Sequence, residues 1–484
     1  MDRLSPLDAA FLEIEDEDPS SSLAIASVAI AEGPAPRQDE FVAAVLARLD
    51  GIPRYHQKVR SVPFDLGPPA WVDDPAFDPA AHFGRVALPA PHDEAALCEL
   101  VALLMGERLE RDRPLWEFWV IEGLPDGRWA IVSKVHHALA DGLAATRLQT
   151  ILFGDTPAEA PARPEEAPDP GSTRLLLDAA GTLLRNPWDQ ARALAGELRH
   201  PNRLARRVSD AARGLAAMTS ALLPASRTPL TGPLGRDRRY ATASVALADV
   251  KAVAKACDIT VNDVLLAAVT GGFRELLLHR GESPAADSVR SLVPVSVRTG
   301  TALDNEVSLL LPLLPVDLPD PVQRLIRVHH RLGTLKASKE ADAGALLTAT
   351  AAREPFAPVA WAIRAAAHLP QRNIVTVTTN VRGPAEPLSA LGRRIVEIYP
   401  YVPIALRVRI GVAMLSYAGR VTFGITSDAD TVPEIEVLAR AIEREVHALR
   451  AATAIGKVPA QHRDAGECTQ DVAGTATPST KASR

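Results

Sequence analysis

The stretch IVSKVHHALADGLAA, from Ile131 to Ala145, joins a run typical of a buried strand to two adjacent histidines and an Asp-Gly pair. The apolar, β-rich run begins at Trp129, and the residues after Asp141 have the spacing of a helix. Neighbouring side chains of a strand point to opposite faces of the sheet. We therefore predict a strand over 129–135, after which one histidine faces a cleft and the other faces the interior.

This arrangement favours base catalysis without a protein nucleophile. Near neutral pH an imidazole is the natural general base. Asp141 can orient a ring or pair with an arginine, and Gly142 allows a tight turn. The chain contains no G-x-S-x-G, P-loop, G-x-G-x-x-G or H-E-x-x-H motif. The pattern predicts that a substrate hydroxyl or amine is deprotonated and attacks an activated acyl group such as a thioester.

A metal site at the same stretch is disfavoured. His136, His137 and Asp141 are possible zinc ligands, but adjacent strand side chains diverge and converge poorly on one ion. The three cysteines, Cys98, Cys257 and Cys468, include no C-x-x-C pair. They therefore indicate neither a zinc site nor a disulfide framework, and they fit a reducing, cytoplasmic setting.

Length and charge restrict the class of protein. A chain of 484 residues is too long for one ordinary core, so we expect two domains. The formal net charge of -6 argues against a nucleic-acid partner. The acidic start of the chain does not resemble a signal peptide, and Val307–Val316 is too short to span a membrane. Any contact with lipid is therefore expected from the water side.

Composition divides the chain into four parts. Residues 1–154 and 228–455 mix strand and helix patterns. Between them, residues 155–227 begin with a linker rich in proline and alanine and continue as an arginine-rich helical connector. That connector either bridges the two domains or lies on a lipid surface. Residues 456–484 have no apolar periodicity and are expected to be disordered.

Several elements carry sharp local signals. The stretch Asp93–Leu109 has helical spacing, as does Ile259–Gly281, which Thr260 or Asn262 can cap and Gly281 can end. VAMLSYAGRVTFGITSD predicts a hairpin that turns at Ala418-Gly419-Arg420.

HHALADG resembles the HHxxxDG motif of the coenzyme A-dependent acyltransferase superfamily, which includes peptide-synthetase condensation domains and chloramphenicol acetyltransferase. Seven stretches, one of which contains this motif, make the chain similar to bacterial wax ester synthase/diacylglycerol acyltransferases. The resemblance runs in order from about Leu4 to Arg450. The stretches are LSPLDAAFLEIED (Leu4–Asp16), RPLWEFWVIEGLPDGRWAIVSKVHHALADG (Arg113–Gly142, including the motif), TPLTGPLGRDRR (Thr228–Arg239), TVNDVLLAAVTGGFREL (Thr260–Leu276), VPVSVR (Val293–Arg298), NVRGPAEPL (Asn380–Leu388) and SYAGRVTFGITSD (Ser416–Asp428).

The resemblance implies an α/β (α+β) fold of two chloramphenicol-acetyltransferase-like subdomains, each a mixed sheet with helices, and an active site in the channel between them. It implies acyl-CoA as co-substrate without a bound cofactor, and diacylglycerol or a long-chain alcohol as acceptor. It also implies peripheral association with the inner face of the membrane or with lipid inclusions. Oligomeric state stays open.

The resemblance also assigns roles. His137 would be the base, and His136, Asp141 and Gly142 would support it. In related acyltransferases the motif aspartate pairs with an arginine, and Arg298 is the candidate here.

Other motif residues have a structural interpretation as well. Pro114, Leu115 and Trp116 are interpreted as packing that holds the strand bearing His137. Asn262 and Asp263 open a helix, so capping explains them, although the family resemblance favours a position near the active site.

The chain departs from the family pattern at several places. The family often has a Met-His-Val-Gly stretch after its first acidic segment, whereas this chain has SSSLAIAS, which contains no histidine. The family's Gly-Asn pair after VPVSVR is found here only as Asp304-Asn305. Arg382, Arg407 and Arg409 stand where small, apolar or glycine residues are usual. Two alternatives therefore stay open: an acyltransferase of the same mechanism with another alcohol or amine acceptor, and a lipid-binding protein with a weak site.

Overall fold

A computed structural model of the chain describes residues 2–139, 149–154, 228–296, 307–337 and 373–455, together with residues 171 and 364. The predicted linker and connector, apart from residue 171, and the predicted tail lie outside these ranges. Asp141, Gly142 and Arg298 lie outside them too. The described elements already define how the histidine motif is held.

The helices and strands alternate along both halves of the chain. The helices are α1 (Pro6–Glu17), α2 (Gln38–Leu49), α3 (Glu94–Gly106), α4 (Leu247–Cys257), α5 (Val261–His279), α6 (Pro321–Ala337) and α7 (Ile435–Ala454). The strands are β1 (Asp2–Arg3), β2 (Ala24–Ala31), β3 (Gln57–Arg60), β4 (Ala70–Asp73), β5 (Phe83–Ala87), β6 (Trp116–Glu122), β7 (Trp129–His136), β8 (Arg238–Ala246), β9 (Ser291–Ser296), β10 (Val307–Leu310), β11 (Thr376–Arg382), β12 (Ser389–Ala390), β13 (Arg393–Tyr401), β14 (Ile410–Tyr417) and β15 (Arg420–Asp428).

Two six-stranded sheets and one small sheet organise the described residues. The first large sheet has the order β12-β13-β2-β7-β6-β5, and the second has the order β10-β9-β11-β14-β15-β8. The small sheet is β1-β4-β3. Strand β7 lies in the middle of the first sheet and pairs antiparallel with both β2 and β6. Its end, where the motif begins, is therefore fixed from both sides.

Two strands from the second half of the chain, β12 and β13, belong to the first sheet. Strand β13 comes from the second half, yet it pairs antiparallel with β2, with Tyr401 opposite Ala26. Local periodicity carries no information on such a pairing, and the sequence analysis did not predict it. Further bonds across the halves join Tyr240 Oη to Pro400 O (2.9 Å) and Arg238 Nη2 to Ser20 O (2.5 Å).

Apolar packing follows the same layers. One cluster fills the second half between its sheet and helices α4, α5, α6 and α7. The first sheet packs on both faces, with Val132 in the cluster that includes α1 and α3 and Ile131 in the cluster that includes α2. A strand buried on both faces reads as a continuous apolar run, which explains the composition of β7.

The sharp local predictions are confirmed. Thr260 caps α5 by accepting the backbone N–H of Asp263, and Gly281 follows the helix with a φ of +74°. Strands β14 and β15 form the predicted hairpin, which turns at Ala418 and Gly419. Within the described ranges, no helix is both long and apolar enough to cross a membrane.

Candidate active site

The histidine motif lies where β7 ends and the chain turns. His136 is the last residue of the strand, and its N–H donates to Leu115 O (3.0 Å). The N–H of His137 donates to Leu23 O (3.0 Å). Because Leu23 precedes β2 and Leu115 precedes β6, both neighbouring strands hold the backbone of the motif.

The two imidazoles differ in exposure. His136 is 1% exposed, whereas His137 is only half-buried. This difference agrees with the prediction that only one ring faces the interior, while a cleft at the other ring stays a prediction. The cause is partly different, since His137 lies one residue beyond the strand and the turn contributes to its direction.

The ring of His136 has a defined tautomer. The N–H of Ala138 donates to His136 Nδ1 (3.0 Å), so Nδ1 is unprotonated and Nε2 carries the proton. Nε2 lies 3.5 Å from Glu15 Oε2, at the outer limit of a hydrogen bond. The side-chain Nε2–H of His136 is therefore buried near a carboxylate of α1 without a well-formed hydrogen bond to it.

Glu15 is a buried anion that the sequence analysis missed. It is 1% exposed and accepts the N–H of Leu23 (2.9 Å) and the Nη2 of Arg111 (3.0 Å). Burial alone would raise the pKa of Glu15, but His136, the Leu23 N–H and Arg111 outweigh burial and lower it to about 2. Glu15 is therefore a carboxylate at neutral pH.

Helix α1 contacts both histidines. Phe11 stacks on the ring of His137 with centroids 4.0 Å apart and planes at 24°. Glu15 is four residues further along, so both side chains share one face of α1. The four-residue spacing of Phe11 and Glu15, in a helix that Ser5 caps, is the sequence signal that could have predicted that these two side chains lie on one face.

Arginine and lysine side chains hold α1 and α3 in place. Arg108 donates to Ser21 O (2.9 Å) and to the carbonyl groups of Glu15 and Asp18 at the end of α1. Lys134, 1% exposed on β7, donates to Leu104 O (2.9 Å) and Glu107 O (2.8 Å) and so caps α3. Burial lowers the pKa of Lys134, which Glu117 opposes. This lysine has a structural role next to the motif.

The Pro114-Leu115-Trp116 segment lies beside β7, where the structural interpretation places it. Leu115 is fully buried and accepts the N–H of His136. Trp116 is 1% exposed, donates its Nε1 to Tyr55 O (2.8 Å) and stacks on His82. These contacts fix β6 against β7.

Asn262 and Asp263, the predicted site residues of the second half, bind residues on α6, on β11 and at the start of α5. Asp263 Oδ2 accepts the Thr260 N–H (3.1 Å) and lies 2.8 Å from His329 Nδ1 on α6. Asn262 Oδ1 accepts from Asn380 Nδ2 on β11 (3.1 Å). Asp263 therefore completes a capping box, and Asn262 joins α5 to β11.

One of the departures from the family pattern has a structural explanation. Arg409 donates to Pro229 O (2.6 Å) and to Pro233 O and thereby holds the Thr228–Arg239 stretch. Burial lowers its pKa. Arg407 has a φ of +69°, in a region that L residues rarely adopt. Nothing in the described residues explains Arg382, and Asp304 and Asn305 lie outside the described ranges.

A cavity of about 110 Å³ lies between the halves but away from the motif. Val28, one of its lining residues, pairs with Val132, four residues before His136. At about 3.3 Å per strand residue this is roughly 13 Å from His136. Burial raises the pKa of Cys98, another lining residue, to about 12, so its thiol is no nucleophile at neutral pH. The cavity is thus separate from the histidines.

The described residues form two mixed sheets, and the histidine motif lies at the end of a central strand of the first. This is the type of fold that condensation domains have. The first condensation domain of the calcium-dependent antibiotic synthetase superposes with a TM-score of 0.56 at 16% identity, covering 93% of this chain and 96% of that chain. The predicted fold class, two chloramphenicol-acetyltransferase-like subdomains, is confirmed.

The chain belongs to the wax ester synthase/diacylglycerol acyltransferase family. The model of its catalytic domain matches residues 4–265, and that of its C-terminal domain matches residues 303–450. A Mycobacterium tuberculosis protein named as the probable diacylglycerol O-acyltransferase tgs1 is 45% identical, over 95% of this chain and 98% of that protein. The wax ester synthase/diacylglycerol acyltransferase from Marinobacter aquaeolei VT8 superposes with a TM-score of 0.63 at 25% identity, covering 93% of this chain and all of that one. The predicted enzyme class, an acyltransferase, is confirmed.

Proposed function

We propose that this chain transfers a long-chain acyl group from acyl-CoA to the hydroxyl of diacylglycerol and so makes triacylglycerol. The name of the 45% identical mycobacterial relative favours diacylglycerol as the acceptor. A long-chain alcohol, which would give a wax ester, is the second acceptor. Acyl-CoA is consumed as a co-substrate, and the reaction needs no bound cofactor or metal.

The proposed mechanism is direct transfer with His137 as general base. The imidazole takes the proton of the acceptor hydroxyl, and the oxygen attacks the thioester carbonyl carbon. The new C–O bond forms, the C–S bond breaks, and the thiolate of CoA leaves and receives a proton from the imidazolium. Acyl transfer of this kind needs a base within hydrogen-bond reach of the hydroxyl.

The observation that carries this proposal is the pair of histidines with one helix packed against both. His136 is buried, with Nε2 3.5 Å from Glu15, while His137 is half-buried and stacks on Phe11. A buried imidazole whose only ring proton lies beside a carboxylate is poorly placed to exchange protons with substrate. We therefore assign His137 as the base and His136 as a positioning residue that Glu15 holds.

The remaining predicted residues receive supporting roles in the proposal. Asp141, Gly142 and Arg298 would shape the turn after the histidines, with Arg298 paired to Asp141. Asn262 and Asp263 would hold the start of α5 on the side of the second half.

The lipid acceptor also implies a place of action. Diacylglycerol and long-chain alcohols partition into lipid, so the enzyme must reach them at a surface. We propose peripheral association with the cytoplasmic face of the membrane or with lipid inclusions.

The acceptor can be tested by product analysis. Purified protein is incubated with radiolabelled palmitoyl-CoA and either a diacylglycerol or hexadecanol, and the lipids are separated. We expect labelled triacylglycerol at a higher rate than wax ester. Product from hexadecanol alone would reassign the acceptor. No product with either acceptor would contradict the proposed function and favour another acceptor or a lipid-binding role.

A further inference from the structure

The loop between β3 and β4, residues 61–69, presents an aromatic side chain to solvent. Phe64 is 85% exposed, which is the largest exposed fraction among the big apolar side chains of the described ranges. Pro63 and Leu66 on either side are half-buried. The ring of Phe64 is therefore available to a partner outside the protein.

The backbone of this loop holds Phe64 outward. Phe64 has φ 59° and ψ 20°, and Asp65 has φ 53°, so two consecutive residues are left-handed. Bulky L residues avoid this region because the Cβ approaches the carbonyl oxygen. The loop thus adopts an unfavourable conformation although Phe64 makes no core contact in return.

The loop is fastened at its second end and in its middle. Arg3 donates to Pro68 O (3.0 Å), and the N–H of Leu4 donates to Pro69 O (2.9 Å). Arg364 Nη1 donates to Asp65 Oδ2 (2.8 Å). The phenylalanine is therefore displayed from a fixed base.

The same arginine connects the loop to the candidate active site. Arg364 Nε donates to Glu13 Oε2 (2.6 Å) on α1, the helix that carries Phe11 and Glu15 to the two histidines. The loop consequently lies one helix away from His137. Glu13 is two residues from both Phe11 and Glu15, so the loop and His137 lie on different sides of α1.

We propose that Phe64 inserts into the phospholipid bilayer that contains the acceptor and so docks the enzyme beside its substrate. This inference rests on the proposed function, because only a lipid acceptor requires the enzyme to dock on a bilayer. The loop contains no lysine or arginine, and its one charged residue, Asp65, pairs with Arg364, which also binds Glu13 and Glu17. Docking by an apolar ring should therefore depend little on salt, unlike attraction to anionic head groups.

The test measures binding of the full chain to phosphatidylcholine vesicles containing diacylglycerol, by co-sedimentation. Phe64→Ser should weaken the vesicle partition coefficient at least about tenfold, as expected for losing one buried aromatic side chain. Phe64→Trp should keep binding, since tryptophan favours the interface. Leu278→Ser is the matched control: Leu278 is 45% exposed near the end of α5, and 16 residues of helix place it about 24 Å from Asn262.

The inference is supported if only Phe64→Ser loses binding and raised salt has little effect. It is overturned if the parent chain does not bind these vesicles, if Phe64→Ser binds as tightly as the parent, or if Leu278→Ser weakens binding equally. Because binding is measured without acyl-CoA, a chain that binds vesicles through Phe64 but transfers no acyl group would contradict the proposed function alone.

Discussion

Replacing His137 by alanine should lower kcat/KM for diacylglycerol by about 10²- to 10⁴-fold, the usual contribution of a positioned general base. The loss should fall mainly on kcat, because the imidazole acts on the proton in the transition state rather than on ground-state binding. Initial rates of triacylglycerol formation across a range of diacylglycerol concentrations measure both constants.

This prediction needs a control that shows that the loss of activity comes from His137 itself and not from misfolding or from the loss of any histidine. His279, an exposed residue at the end of α5, offers one, and His279→Ala should keep the parent rate. The structure of the His137 variant should be intact, since the backbone of the motif is held by Leu23 and Leu115. A folded His137→Ala protein that retains the parent kcat would eliminate His137 as the base.

Replacing Glu15 by glutamine should lower both stability and turnover. A pKa that falls from its ordinary 4.5 to about 2 corresponds to roughly 3 kcal/mol of folding free energy at neutral pH. Because the folded-state pKa is the lower one, this contribution is complete above about pH 4.5 and is lost as the pH falls towards 2. Urea unfolding of parent and variant should therefore show a difference at pH 7 that shrinks below pH 4.5.

Turnover distinguishes a positioning role of Glu15 from a purely structural one. Glutamine keeps an amide oxygen but not the negative charge, so His136 Nε2–H faces a weaker acceptor and we expect kcat to fall about tenfold per folded molecule. Glu445 is the matched control, because it is a buried carboxylate bound to Arg324 (2.6 Å) in the second half. Burial raises the pKa of Glu445, but Glu445→Gln should still reduce stability because it leaves the buried Arg324 without its carboxylate, and it should leave kcat unchanged. Equal kcat values for the Glu15 and Glu445 variants would refute the positioning role.

Local signals in the sequence were sufficient for much of the fold. The hairpin at Ala418 and Gly419 and the cap at Thr260 follow from residues within a few positions of each other. Alternation along a strand also predicted the different exposure of His136 and His137, although His137 lies one residue beyond β7 and the turn contributes to its direction. The family resemblance then predicted that the two halves of the chain form similar subdomains side by side, which periodicity alone does not predict.

Contacts between distant parts of the chain were not predictable in this way. Strand β13 could have paired within its own half, and its apolar pattern is the same in either sheet. The meeting of Glu15 with His136 depends on how α1 crosses the end of β7, and Arg108 and Arg111 fix that crossing from the segment after α3. A single sequence contains no local signal for such pairs, because the electrostatic interaction forms only after both elements fold.

The central claim is base-catalysed, direct acyl transfer at His137, and CoA release tests it most directly. Free thiol is followed in rapid-mixing experiments after palmitoyl-CoA is added, first without and then with diacylglycerol. The account predicts no release of CoA without acceptor, one CoA for each triacylglycerol formed with it, and a large loss of that release in His137→Ala. A burst of CoA equal to the enzyme concentration without acceptor, or the parent rate in His137→Ala, would contradict it.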